Sequence, residues 1–77
     1  MAKSDMQKGQ PEYDAYSDLF FFHRDFGKVE SGNDQYWTGM LDKAAEINNK
    51  YKDTPMAEIV ARHIIGLMTM WDKEAKA

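Results

Sequence analysis

Apolar residues recur at helical spacing in three segments of the chain, and polar stretches separate these segments. The first predicted helix runs from Pro11 to Phe26, because proline suits a first helical turn and Gly27 follows as a stop signal. The second predicted helix runs from Asp34 to Tyr51, and the third from Pro55 to about Lys73. The pattern therefore predicts an all-α chain.

The two breaks between the predicted helices carry residues that commonly cap helices. Ser31 or Asn33 can cap the second helix, and Asp53 or Thr54 can cap the third. The second break covers only residues 52–55, so we expect the helices on either side of it to be antiparallel neighbours.

Projection at about 3.6 residues per turn gives each helix one broad apolar face. Three such faces can be buried only against one another, which predicts a compact up-down-up three-helix bundle over residues 11–77. Residues 1–10 are polar and aperiodic, and we predict a flexible tail there. The predicted core faces are Ala15, Tyr16, Leu19, Phe20, Phe22, His23 and Phe26, then Tyr36, Trp37, Met40, Leu41, Ala44, Ile47 and Tyr51, then Met56, Ile59, Val60, His63, Ile64, Leu67, Met70 and Trp71.

This topology brings the end of the first helix, the start of the second and the end of the third to one pole of the bundle. Phe22, Phe26, Trp37 and Trp71 are therefore predicted to cluster there. Gly66 lies in the middle of the third helix, where a glycine suggests the close approach of a neighbouring element.

Composition narrows the function classes. The chain has 77 residues and no cysteine, so its small core gains no support from a disulfide or a thiolate metal site. Residues 12–34 carry six acidic and two basic side chains, which disfavours nucleic-acid binding because that binding depends on neutralising phosphates. No apolar run is long enough to span a membrane, and no secretory signal is recognisable. We therefore expect a cytoplasmic protein that binds neither nucleic acids nor membranes.

No residue pattern is typical of a catalytic, cofactor or metal site. His23 and His63 are the only histidines, they fall on different helices, and they lack the spacing of zinc-binding motifs. Both project onto apolar faces, so we predict that both are packed in the core. We expect no enzymatic activity, no catalytic residue, no cofactor and no metal.

One surface is a candidate for contact with a protein partner. Asp14, Asp18 and Asp25 fall together on the side of the first helix away from the core, and Phe21 lies among them. An exposed ring among carboxylates can anchor a basic partner, although the same residues can also be a solvated charged face. On the polar side of the third helix, Ile65 is either an isolated exposed residue or part of a homodimer contact.

Three short stretches carry a resemblance to known proteins: residues 22–26 (FHRDF), 34–37 (DQYW) and 50–52 (KYK). The chain over most of residues 15–72 resembles a group of small proteins encoded in prophages and mobile elements of Firmicutes. The resemblance implies a bacterial cytosol under phage control and no particular activity. We therefore predict a non-enzymatic protein-binding module, a small phage-type regulator or inhibitor acting through its acidic helix face. The alternative is a structural homo-oligomer or assembly accessory without small-molecule chemistry.

Overall fold

The computed structural model describes residues 9–77, and these residues form three α-helices and no β-strand. Helix α1 spans Pro11–Phe26, α2 spans Asp34–Tyr51 and α3 spans Ala57–Ala75. The predicted all-α three-helix bundle is confirmed, and so are the bounds of α1 and α2. Most of the predicted flexible tail, residues 1–8, lies outside the described residues.

The loop between α1 and α2 ends in the predicted cap. Asn33 is the residue that caps α2, because its side-chain oxygen accepts a hydrogen bond from the Tyr36 N–H at 3.1 Å. Gly32 precedes it with φ +81°, a left-handed conformation that glycine adopts without strain. Ser31 serves a different purpose, since its Oγ donates to the Ala75 carbonyl oxygen at the end of α3, at 3.4 Å.

Helix α3 begins at Ala57 rather than at the predicted Pro55. The Thr54 Oγ1 donates to the Tyr51 carbonyl oxygen at 2.8 Å and accepts from the Met56 N–H at 3.2 Å. The Ala57 N–H donates to the Thr54 carbonyl oxygen at 3.1 Å. These bonds hold Pro55 in a tight turn before the helix, so Thr54 closes the connection instead of capping α3.

Each helix buries a narrower stripe of side chains than the sequence predicts. A helix in this bundle has only two neighbours, so apolar side chains at the margins of its broad face stay in contact with water. Seven predicted core residues are exposed in this way: Tyr16, Phe20, His23, Leu41, Ile59, His63 and Met70. The buried core consists of Ala15, Leu19, Phe22, Tyr36, Met40, Ala44, Ile47, Tyr51, Met56, Val60, Ile64, Leu67 and Trp71.

Two further predictions about the helix faces are wrong. His23 and His63 are both exposed, so neither is a packed core histidine, although the His23 ring meets the Trp71 ring edge-on at 5.8 Å. A Cβ atom added at Gly66 would meet nothing within 4 Å, so no element within residues 9–77 approaches this glycine closely.

The predicted aromatic cluster at one pole of the bundle is confirmed. Ring centroids follow one another from Trp71 to Phe22 at 5.5 Å, and from Phe22 to Phe26 at 5.4 Å. The series continues from Phe26 to Tyr36 at 5.9 Å, and from Tyr36 to Trp37 at 4.9 Å. The Tyr36 hydroxyl also donates to the Phe26 carbonyl oxygen at 2.5 Å. This chain of contacts joins all three helices and places the end of α3 beside the end of α1.

Candidate functional site

Three exposed surfaces of the bundle are candidates for contact with a partner. The acidic face is the predicted one on α1, and the aromatic strip runs along another side of the same helix. The third surface, the α2–α3 groove, lies between the start of α2 and the end of α3. The acidic face consists of Asp14, Asp18, Phe21 and Asp25. The aromatic strip consists of Tyr13, Tyr16, Ser17, Phe20, His23 and Arg24. The α2–α3 groove consists of Trp37, Ile65, Met68, Thr69 and Asp72.

Within the acidic face, the Asp18 carboxylate is bound to α2. Its Oδ2 accepts a hydrogen bond from the Tyr51 hydroxyl at 2.5 Å and another from the Lys50 Nζ at 2.9 Å. Charge-assisted hydrogen bonds of this kind are stronger than those between neutral groups. Asp18 therefore ties the middle of α1 to the end of α2.

The ionisation of this cluster follows from its contacts. Partial burial opposes ionisation of Asp18, but the hydrogen bonds from Tyr51 and Lys50 outweigh burial and hold the pKa of the carboxyl below its ordinary value. Burial and the hydrogen bond to Asp18 raise the pKa of Tyr51 to about 12. The hydrogen bond to Asp18 also raises the pKa of Lys50. Carboxylate, neutral phenol and ammonium therefore persist together at neutral pH, so this cluster is suited to holding helices rather than to proton transfer.

The rest of the acidic face also has partners within the chain. The Arg24 guanidinium lies 4.7 Å from the centroid of the Phe21 ring, and its Nε donates to Asp25 Oδ1 at 3.1 Å. Asp14 Oδ1 accepts from the Gly9 N–H at 3.2 Å. Phe21 is still 43 % exposed. The structure thus brings the four predicted residues together on α1, but a basic partner would compete with Lys50 and Arg24 for two of the three carboxylates.

The aromatic strip was not predicted as a surface. Tyr13, Tyr16, Ser17 and Phe20 line a shallow open depression of ≈ 370 Å³, and Phe20, His23 and Arg24 line a second one of ≈ 330 Å³. These six positions follow the spacing of a single helix face, so the strip runs along most of α1. Phe20 is more exposed, at 62 %, than either tyrosine of the strip. The sequence does hold a signal for it, since the predicted apolar face of α1 is wider than the stripe that one helix of a bundle can bury.

Ile65 belongs to the α2–α3 groove. Its side chain is 63 % exposed and lines a depression of ≈ 370 Å³ together with Trp37, Met68, Thr69 and Asp72. The groove lies between α2 and α3, whereas the other predicted site residues lie on α1. The structure therefore does not join Ile65 to the acidic face.

Among residues 9–77, no group of three or more His, Cys, Asp or Glu side chains is placed to hold a metal ion. None of the helices in the same part of the chain has the length and apolar character needed to cross a membrane. Comparisons with protein-family models, with curated proteins and with solved structures find no match to this chain. The exposed surfaces of the bundle are therefore the basis for a functional proposal.

Proposed function

We propose that this protein is a non-enzymatic protein-binding module that acts by contact through the aromatic strip of α1. The observation that carries the proposal is the exposure of Phe20, at 62 %, beside Tyr13 at 41 % and Tyr16 at 46 %. Since a whole aromatic side chain covers 150–250 Å², these three rings present about 220–370 Å² of surface to water. The largest apolar patch on a typical soluble monomer measures about 300–600 Å² and is often functional.

The chemistry of the strip suits protein recognition. Tyrosine, phenylalanine and arginine are enriched at protein interfaces, and tyrosine and arginine are also enriched among the residues that dominate binding energy. All six strip positions lie on one α-helix, so their side chains are presented by a rigid element. A helix that presents one face can seat in a groove or pack against another helix.

The proposed role is that of a small phage-type regulator or inhibitor in a bacterial cytosol. The resemblance of residues 22–26, 34–37 and 50–52 to prophage-encoded proteins supports that setting. Such a role requires contact between protein surfaces and no chemistry of its own.

The acidic face is a second candidate surface, suited to a basic partner. The exposure of Phe21, at 43 %, favours it. It offers less than the aromatic strip, because Lys50 already engages Asp18 and Arg24 engages both Asp25 and the Phe21 ring.

Site-specific photo-cross-linking tests the proposal. A photoreactive amino acid is placed at position 20, 21 or 65 in turn, and covalent adducts to protein are collected from cells that express the chain. We expect adducts from position 20 and none from position 65, whose native residue is equally exposed. Adducts from position 21 alone would show that the acidic face, rather than the aromatic strip, makes the contact. The absence of adducts from both α1 positions would overturn the proposed function.

A further inference from the structure

We infer that the occupant of the aromatic strip is a second copy of this chain, packed with its α1 antiparallel to the α1 of the first copy. The inference rests on the proposed function, because it names the partner of the same surface. It predicts a symmetric dimer in which both copies use identical residues.

The charges along α1 favour this arrangement. The first turn of α1 carries Glu12 and Asp14, and the last turn carries Arg24, whose Nε binds the neighbouring Asp25. Antiparallel packing of two copies sets Glu12 and Asp14 of each helix against Arg24 of the other, whereas parallel packing sets the two acidic first turns together. Complementary charges of this kind determine the orientation and register of an interface. Arg24 can take part while it binds Asp25, because a guanidinium carries five N–H donors.

The order of side chains along the strip suits the same arrangement. The centre of the strip lies between Ser17 and Phe20. A two-fold axis at that level places Phe20 of each copy opposite Ser17 of the other, one position away from Tyr16. It also places Arg24 of each copy near Tyr13 of the other, where a cation–π contact can form. Ser17, the smallest residue of the strip, lies beside the axis, where the two helices come closest.

The surface available for association extends beyond α1. The buried residues of α3 divide its surface into two flanks. Met68 lies on the flank that lines the groove with α2, and Met70 lies on the opposite flank, towards α1. Trp71 contacts Phe22, so Met70 is level with the last turns of α1. Met70 and Ile59 share this flank of α3 and are both about half exposed. These side chains add to the about 220–370 Å² of the three rings, against about 800 Å² per partner in an interface of standard size. The expected dimer is therefore modest in affinity and depends on protein concentration.

The α2–α3 groove suits a second copy less well. Its charged member is Asp72, which pairs with Lys76 of the same helix at 2.9 Å. Two copies meeting through this groove would bring like carboxylates together, while the groove offers Ile65 as its one highly exposed apolar side chain. Ile65 therefore provides a matched control for Phe20.

Sedimentation velocity of the full 77-residue chain over a range of concentrations tests the inference. We expect the wild-type protein and Ile65→Ser to pass from monomer to dimer as concentration rises. We expect Phe20→Ser to raise the dissociation constant at least about tenfold, the loss that corresponds to about 1.4 kcal/mol. Circular dichroism should show the same helix content in all three proteins. A wild-type monomer at every concentration would overturn the inference, and so would a dimer that Ile65→Ser disrupts and Phe20→Ser does not.

A charge exchange tests the antiparallel geometry separately. Asp14→Lys and Arg24→Glu should each weaken the dimer, and the double variant should restore it, because opposite charges at positions 14 and 24 then again face each other. A double variant that dimerises no better than either single variant would contradict the geometry.

Different results overturn the dimer and the proposed protein-binding function. If the purified chain is a monomer but position 20 cross-links to a different protein, the second copy is excluded and the proposed function stands. If the chain is a monomer and position 20 cross-links to nothing, both are overturned.

Discussion

One flank of α1 binds a charged side chain into the fold, whereas the other flank leaves aromatic side chains exposed. On the flank that faces α2, the charged Asp18 is taken into the fold through Tyr51 and Lys50. On the flank that carries the aromatic strip, Phe20 and Tyr16 are left in water. The difference shows that the neighbouring helix, rather than the hydrophobicity of the side chain, decides which residues of α1 the fold uses.

The physical reason lies in what each neighbour supplies. The Tyr51 hydroxyl and the Lys50 ammonium group at the end of α2 both donate hydrogen bonds to the Asp18 carboxylate. These bonds replace hydrogen bonds that the carboxylate loses from water. An aromatic ring is stabilised mainly by apolar surface that covers it, and residues 9–77 cover the rings of the aromatic strip only in part. A second chain can supply that cover.

The largest expected effect separates two phenylalanines of the same helix. Phe22 is 1 % exposed and Phe20 is 62 % exposed. We expect Phe22→Ala to lower the free energy of unfolding by about 3–5 kcal/mol, because it leaves a cavity between Phe26 and Trp71. Phe20→Ala should change the free energy of unfolding of the monomer by less than about 0.5 kcal/mol. Urea denaturation at low protein concentration measures both values, and similar losses in the two variants would erase the contrast between core and strip.

The next effect concerns alkaline pH and the flank that holds Asp18. The pKa of Tyr51 is raised from 10.0 to about 12, so its contribution to stability is complete below pH 10 and disappears as the pH rises to about 12. Above that range, the Tyr51 phenolate would lie beside the Asp18 carboxylate, and the two negative charges would repel each other. A shift of this size corresponds to about 2–3 kcal/mol.

Denaturation curves between pH 9 and pH 12.5 check this dependence on a scale of about one pH unit. Burial also raises the pKa of Tyr36, so its ionisation adds to the loss in every variant that keeps it. Tyr51→Phe should flatten the profile relative to the wild type. Identical profiles in the two proteins would show that Tyr51 does not bind Asp18.

At neutral pH, removal of the same hydroxyl has a smaller effect. Tyr51→Phe deletes one hydrogen bond to Asp18 but leaves the bond from Lys50, so we expect a loss of about 1.5 kcal/mol in the free energy of unfolding. Tyr16→Phe is the control, because it deletes the same atom from an exposed residue of the aromatic strip. Chemical denaturation at pH 7 should find no measurable loss in the control, and equal losses would contradict the distinction between the two flanks.

The smallest effect concerns the open side of α3. Because a Cβ atom at position 66 meets nothing within 4 Å, Gly66→Ala should raise the free energy of unfolding by up to about 1 kcal/mol through helix propensity alone. In a chain of this length, that change raises Tm by about 4–8 °C. A lower Tm in the variant would show that this side of α3 packs against something.

Strong local signals made the helices predictable. Pro11 and Gly27 mark the ends of α1, and Asn33 marks the start of α2, so the bounds of both helices follow from the sequence. The start of α3 does not, because the Thr54 hydroxyl bonds back to Tyr51 and extends the turn past Pro55. Propensity alone does not reveal that choice of hydrogen-bond partner.

The candidate surfaces were less predictable, because they depend on contacts between distant residues. Helical projection correctly groups Asp14, Asp18, Phe21 and Asp25 on one face. It does not reveal that Asp18 binds Tyr51, which lies 33 residues away in the chain. It also assigns Phe20 to the core, since periodicity measures how apolar a face is and not how many neighbours cover it.

The central claim is that the aromatic strip of α1 is used for association and not for the fold. The concentration dependence of Tm, compared between the wild-type protein and Phe20→Ser, tests this claim most directly. We predict that Tm of the wild type rises with concentration, because association stabilises only the folded chain. Tm of Phe20→Ser should change with concentration much less and stay near the value that the wild type approaches on dilution. A variant that melts below this value would show that the fold itself uses Phe20, and a wild-type Tm that does not change with concentration would show that a second copy does not cover the strip.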